Sequence, residues 1–289
     1  METTLLSFTD SLPLTCSRAG SCCHGSLVRL NPWELAQLSG AKKIPADEFK
    51  ERYTIAGGSI LHFSGKPNGS GKKSCGLYVE GQGCSVHPAR PLACRLFPLG
   101  RQIQNGQAQY MFQGTTFPCL KECPEVSDLP HLSVGDYLAG QQTALFEQAQ
   151  DGYMEVMQNS ADIAFSLLLE TGLADSGDTK TLLLWRKLGQ MSIEGLTTFM
   201  GAEWLRVLMY PGLENNPGDP IQFARFHSQL IEEKVQTWVE TVTTFDEMRE
   251  AAGITMAIAL FLAHGVGANA EELSEYWIGI AKNNGAVEE

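Results

Sequence analysis

Hydrophobic residues recur at intervals of three and four along the second half of the chain. The clearest stretch runs from Phe223 to Val242, and this spacing places its apolar side chains on one face of a helix. Asp219 and Pro220 precede it and predict a helix start, with Gln222 completing a capping box. The same reasoning predicts a last helix from Asn269, with Glu272 at its third position, to near Asn284-Gly285.

The same periodicity predicts several other helices in this half, over residues 137–157, 161–171, 181–188, 193–209 and 245–262. The longest apolar run, residues 253–267, is shorter than a bilayer requires and is interrupted by His264 and by glycines. We therefore expect a buried helix at this run and a helical bundle in the second half.

The first half shows one clear helix start. Asn31, Pro32 and Glu34 have the order of an N-cap, a first helical residue and a reciprocal capping residue. This helix is expected to end near Gly40. The other segments before residue 130 lack a long periodic pattern, so short helices in an irregular domain are expected there.

Charge is distributed unequally between the two halves. Through Cys123 there are 13 Lys and Arg against 8 Asp and Glu, a sum of +5, whereas the remainder has 8 against 25, a sum of −17. The acidic half disfavours nucleic acid or an anionic membrane as a partner, because both attract clustered Lys and Arg. It fits a cationic protein substrate or client, or simply a solvated helical surface. The oligomeric state is left open.

The first fifteen residues carry Glu2 and Asp10, without the basic region and apolar block of a signal peptide. We therefore expect a cytoplasmic location. Residues 65–73 (GKPNGSGKK) suggest a phosphate loop, but Lys66 and Lys73 occupy positions that need glycine and Ser or Thr. Nucleotide binding at this segment is therefore rejected.

Cysteine is confined to the first 123 residues. The spacing is Cys-x5-Cys-Cys, x51, Cys-x8-Cys-x9-Cys, x24 and Cys-x3-Cys, given by Cys16, Cys22, Cys23, Cys75, Cys84, Cys94, Cys119 and Cys123. A disulfide framework would need an oxidising compartment, and structural thiols would scatter along the chain. Metal ligation explains the clustering best, since zinc and iron-sulfur clusters both take about four thiolates.

The metal itself stays open between an iron-sulfur cluster and Zn²⁺. The spacing matches neither a zinc finger, with its two close pairs, nor the ferredoxin run of closely spaced cysteines. If the backbone were extended at Cys22 and Cys23, their side chains would alternate, so they would serve two centres or one would be spare. The expected fold is mainly α: a cysteine-rich metal-binding domain over 1–130, then an acidic α-helical domain over 131–289.

Two segments resemble the YkgJ-type cysteine-cluster family (CxxCxxCC). The first is Cys16-Ser-Arg-Ala19-Gly20-Ser-Cys22-Cys23-His24-Gly25, followed by Asn31-Pro32-Trp33-Glu34. The second runs from Cys75 through Cys84-Ser-Val-His87 and Arg90-Pro91 to Cys94-Arg95-Leu-Phe97-Pro98. The resemblance covers roughly the first 125 residues. It implies a zinc- or iron-chelating domain and permits an enzyme, since the group includes flagellin lysine N-methylases.

The chain departs from the family pattern at two positions. Ala19 stands where the family has a cysteine, and Cys123 could replace that ligand. His87 stands where the family usually has tyrosine, and both it and His24 could ligate zinc or iron or serve as structural histidines.

Basic and rigid residues surround Cys94. Arg90 and Arg95 could each lower the pKa of that thiol or donate hydrogen bonds to sulfur, or could form ordinary surface ion pairs. Pro88, Pro91 and Pro98 restrict the backbone on both sides of it.

Three functions remain on sequence grounds. The leading one is a metal-binding protein whose centre is structural or redox-active, with ligands from Cys22, Cys23, Cys75, Cys84, Cys94 and Cys119, then Cys16 and Cys123. The second is an iron-sulfur-dependent protein lysine N-methyltransferase-like enzyme. The third is a metal-handling or protein-interaction module. Catalytic residues are unassigned in all three.

Overall fold

The computed structural model describes residues 3–14, 20–104, 106–113, 131–209, 212 and 218–288. The chain forms two compact units, one of Met1–Val28 with Leu61–Glu147 and the other of Arg29–Ile60 with Gln148–Glu289. Residues 29–60 thus pack with the second unit. The sequence domain boundary expected near residue 130 stays a prediction.

The described helices follow one another along the chain as α1 Pro32–Lys42, α2 Ala46–Tyr53, α3 Leu92–Leu96, α4 Val134–Gly140, α5 Ala144–Leu169, α6 Lys180–Gly189, α7 Ile193–Met209, α8 Pro220–Val239, α9 Phe245–Val266 and α10 Ala270–Asn283. The described strands are β1 Thr3–Leu6, β2 Ser11–Leu12, β3 Thr54–Ile55, β4 Ile60–Leu61, β5 Tyr78–Val79, β6 Gly83–Cys84, β7 Gly100–Gln104, β8 Gln107–Gln113 and β9 Leu132–Ser133. The expected mainly α fold, with an irregular first part and a helical second part, is confirmed.

The first unit is built on an antiparallel sheet in the order β1-β8-β7. Leu5 pairs with Met111, and Met111 pairs with Gly100 on the other side. Tyr137 in α4 is 2% exposed and donates its hydroxyl to the Phe97 carbonyl at 2.6 Å. This bond fixes the chain directly after α3, the short helix that carries Cys94.

The predicted helix starts are confirmed at three positions. Asn31 accepts a hydrogen bond from the Glu34 amide, and the Glu34 carboxylate accepts one from the Asn31 amide, which completes the capping box. Asp219 and Asn269 each accept bonds from two amides in the first turn of their helices. Local side-chain bonding to otherwise unpaired amides explains why these starts are readable from sequence.

The two helices predicted over 137–157 and 161–171 are wrong in their boundaries. The helical structure is interrupted at Gln141–Thr143, between α4 and α5. Helix α5 then continues without interruption through Ser160. The Ser160 hydroxyl donates to the Val156 carbonyl at 2.8 Å, so this polar residue is satisfied inside the helix. Ser160 is only 1% exposed, and packing therefore overrides its weak helix propensity.

Helix α9 forms the centre of the second unit. Its length and composition would allow it to cross a membrane, but 72% of its most apolar window is buried inside the protein. All residues from Ala251 to Ala263 are buried. The prediction of a buried helix at this apolar run is confirmed.

A polar pair lies buried in the second unit. His227 and Tyr153 are both fully buried, and the Tyr153 hydroxyl lies 2.8 Å from Nδ1 of His227. Nε2 of His227 donates to the Val207 carbonyl at 3.0 Å, because a carbonyl oxygen can only accept. Nδ1 of the neutral ring therefore accepts from Tyr153. Burial lowers the pKa of His227 from 6.5 to about 4.

Replacing His227 with Gln should flatten the pH dependence of stability between about pH 6.5 and pH 4. In this interval the unfolded chain binds the extra proton and the folded chain does not, so the wild type loses stability as pH falls. The difference amounts to roughly 3 kcal/mol and is complete below about pH 4. Urea unfolding at pH 7.5, 6.0 and 5.0 measures it.

The matched control is His131→Gln, because His131 is exposed. That variant should retain the wild-type slope. Parallel profiles for wild type and His227→Gln would contradict the assignment.

Candidate metal centre

The vicinal cysteines lie in a tight turn. Ser21–Cys23 is a 3₁₀ helix, and the Cys23 amide donates to the Gly20 carbonyl at 3.0 Å. Gly20 has a φ of 82°, and a Cβ there would lie 2.3 Å from the Tyr78 ring. Glycine is therefore required by both backbone angle and space. The extended backbone that would separate the two side chains does not occur, so the reason for assigning them to two centres does not hold.

Cys75 lies beside this turn through backbone pairing. Its amide donates to the Cys23 carbonyl at 2.7 Å, and the Gly25 amide donates to the Lys73 carbonyl at 3.0 Å. His24 and Ser74 form an antiparallel bridge between these two bonds. The 51 residues that separate Cys23 from Cys75 in sequence are thus closed into a loop whose ends are adjacent.

Cys84 is placed by a small hairpin. It pairs with Tyr78 across β5 and β6, and the Ser85 amide donates to the Leu77 carbonyl at 2.9 Å. Leu77 and Val86 are each 2% exposed, which fixes the hairpin to the core of the first unit.

Cys94 occupies the third residue of α3. Its amide donates to the carbonyl of Pro91, the N-cap of this helix, at 3.0 Å. Leu92 and Leu96 on the same short helix are each 5% exposed. Burial of these neighbours holds the half-buried Cys94 thiol in place.

Electrostatic interactions join the thiols. A hydrogen bond with Cys22 raises the pKa of Cys23 far above its ordinary value, and burial and the negative charges of Cys22, Cys94 and Cys84 add to the increase. Burial also raises the pKa of Cys75 to about 11, with contributions from Cys84 and Cys22. All five cysteines that the structure describes therefore interact, although they come from four separate segments.

Cys22 ionises more readily than Cys23 or Cys75. The hydrogen bond from Cys23 lowers its pKa from 9.0 to about 7, against the opposing effect of burial, and the positive charge of Arg90 contributes to the decrease. A thiolate beside a thiol is the expected product of placing two such groups within hydrogen-bonding distance.

The donor chemistry fits a thiophilic metal. The five described cysteines are all thiols rather than disulfides, they are buried or half-buried, and zinc and iron-sulfur clusters both prefer such ligands. No group of three or more His, Cys, Asp or Glu side chains within the described ranges already has the arrangement of an ion-binding site. Metal binding would therefore have to be accompanied by rearrangement of some of these side chains.

Comparison with known proteins agrees with this chemistry. Residues 15–113 match the CxxCxxCC family model, described as "Putative zinc- or iron-chelating domain". The resemblance seen in the two cysteine segments is thereby confirmed, and metal binding is supported. The match covers about a third of the chain.

One similar protein carries no assigned activity. An uncharacterized protein of Methanocaldococcus jannaschii is 30% identical over 100 residues, which is 35% of this chain and 52% of the relative. The aligned region thus spans about half of that protein's length. No solved structure matches the chain.

The two arginines near Cys94 do not form surface ion pairs. Arg90 and Arg95 are 8% and 3% exposed. The Arg95 guanidinium donates to the carbonyls of Arg90 and Gln141 at 2.8 and 2.6 Å, and lies over the Phe146 ring. Arg95 therefore fixes the backbone around α3. The positive charge of Arg90, in contrast, contributes to lowering the pKa of Cys22.

The two candidate histidines have different surroundings. Nδ1 of His24 donates to the Gly20 carbonyl at 2.9 Å, so Nε2 carries the lone pair in the neutral ring, a tautomer suited to ligation. The ring nitrogens of His87 lie 2.9 and 2.6 Å from Nη1 of Arg90. Since the guanidinium can only donate, a lone pair of the His87 ring accepts this hydrogen bond. That lone pair is therefore already used and is not free to bind a metal.

Three of the predicted ligands, Cys16, Cys119 and Cys123, lie outside the described residues, as does Ala19. The predicted ligand set therefore stays a prediction for all eight cysteines.

Two contributors to the site were missed by sequence reasoning. Tyr78 covers Gly20 and contacts the His24 ring edge at a centroid distance of 5.1 Å. Gln141 accepts from both Arg90 and Arg95. Tyr78 lies within the family motif, so its position was visible, whereas nothing in the sequence connects Gln141 with the cysteines.

In the metal-free protein, iodoacetamide should modify Cys22 well before Cys75. The rate at Cys22 should be half-maximal near pH 7, because its pKa is lowered, whereas burial and a pKa of about 11 protect Cys75. Peptide mass spectrometry after timed quenching measures both sites. In concentrated urea the two rates should converge, and equal rates in the folded protein would refute the assignment.

Proposed function

We propose that the first unit holds a cysteine-ligated metal centre, either a zinc ion or an iron-sulfur cluster, with a structural or redox role. The ligands would come from Cys22, Cys23, Cys75, Cys84 and Cys94, together with Cys119 outside the described residues. The mutual interaction of the five described thiols is the observation that carries this proposal. Thiolates that repel one another are stabilised when a cation lies among them.

A bound metal would connect otherwise separate elements. The vicinal turn, the segment of Cys75, the β5–β6 hairpin and α3 each contribute one or two thiols. Binding free energy at such a site adds to the free energy of folding. A structural centre would therefore stabilise the first unit, and an iron-sulfur cluster would in addition accept or donate an electron.

Anaerobic purification with metal analysis tests the proposal. A brown protein with stoichiometric iron and sulfide, whose visible absorption bleaches on reduction, would identify an iron-sulfur cluster. A colourless protein with stoichiometric zinc would identify a zinc site. Protein that stays free of metal under both iron-sulfur reconstitution and zinc addition would overturn the proposal.

Cys22→Ser and Cys94→Ser should each reduce the bound metal to less than about half of the wild-type stoichiometry, because each removes a thiolate from the interacting set. Ser64→Ala is the control, since Ser64 is exposed in the same unit. Full metal content in both cysteine variants would argue against the assigned ligands.

A further inference from the structure

Arg90 is a buried cation whose hydrogen-bonding partners within the described ranges are all uncharged. Its guanidinium donates to the His87 ring, to the His87 carbonyl at 3.3 Å and to the Gln141 amide oxygen. None of these described groups is a carboxylate. Because an isolated buried charge is strongly unfavourable, the burial of Arg90, which is 8% exposed as a whole residue, favours negative charge nearby.

An ionised Cys22 would provide that negative charge. Arg90 interacts electrostatically with Cys22, and Cys22 interacts with Cys23 and Cys75. The positive charge of Arg90 thus acts on one member of the interacting set. Arg95 lies five residues after Arg90. Its guanidinium instead donates to backbone carbonyls.

Charge arithmetic then limits the type of centre. A zinc ion with two thiolates and two imidazoles is neutral and needs no counterion, whereas three or four thiolates leave it with one or two negative charges. An all-cysteine iron-sulfur cluster is likewise anionic. A permanent buried cation fits the anionic cases.

We propose that Arg90 is the resident counterion of an anionic centre with at least three thiolate ligands, and that His87 orients Arg90 instead of binding the metal. This inference rests on the proposed metal function. It makes Arg90 a positioning residue, acting through charge on the sulfur ligands.

Anaerobic titration with Co²⁺, a coloured substitute for zinc, tests the inference in the full chain. Wild type should show the intense sulfur-to-cobalt absorption of a thiolate-rich site. Arg90→Met should weaken Co²⁺ binding by about 10- to 100-fold, the range typical of groups that support metal ligands. Arg90→Lys keeps the charge and should retain most of the affinity, although it loses the forked geometry.

Two further variants separate charge from folding. Gln141→Glu keeps an oxygen acceptor for Arg90 but adds a carboxylate, which would neutralise the guanidinium, so Co²⁺ affinity should fall while the fold is retained. Lys66→Met removes a positive charge at a side chain that is 89% exposed, and it should bind Co²⁺ like wild type.

The outcomes distinguish the two proposals. Wild type that binds neither Co²⁺ nor Zn²⁺ and also takes up no iron-sulfur cluster on reconstitution would refute the metal function itself. Wild-type binding with unchanged affinity in both Arg90→Met and Gln141→Glu would refute the counterion role alone. A cobalt spectrum with only two sulfur ligands would also refute it.

Discussion

Mutual repulsion between thiolates is the constraint on which the cysteine site depends. Cys23 is held protonated by its neighbours Cys22, Cys84 and Cys94, while Cys22 ionises more easily because Cys23 donates to it and Arg90 lies nearby. Half-burial strengthens each of these effects, since water screens the charges less. Such a set is stabilised either by protons or by a metal cation that replaces them.

The backbone brings these thiols together by short-range means. Gly20 allows the turn at the vicinal pair, the Cys75 amide bonds directly to the Cys23 carbonyl, and the β5–β6 hairpin pairs Cys84 with Tyr78. None of these devices needs a large apolar core around the site. The buried side chains of Leu77, Val86 and Leu92 hold the segments that carry Cys75, Cys84 and Cys94 in place.

Prediction succeeded where the determining interaction is local. The N-caps at Asn31, Asp219 and Asn269 were readable because a side chain bonds amides two or three residues away. It failed at Ser160, where a buried polar residue bonds to its own helix and packing continues the helix through an apparent break. The vicinal pair was also misleading, since an extended backbone was the wrong premise for a 3₁₀ turn.

Three features could be read from the amino acids alone: the confinement of cysteine to the first 123 residues, the cysteine-cluster motif and the helical character of the second half. These follow from composition and spacing, which need no knowledge of distant contacts. Folding in three dimensions was needed to bury Arg90, to place His87 and Gln141 as its described hydrogen-bond acceptors, and to bring Gln141 to both arginines. The hydrogen bonds between Gln141 and the two arginines join residues about fifty positions apart, and a linear pattern does not encode their distance.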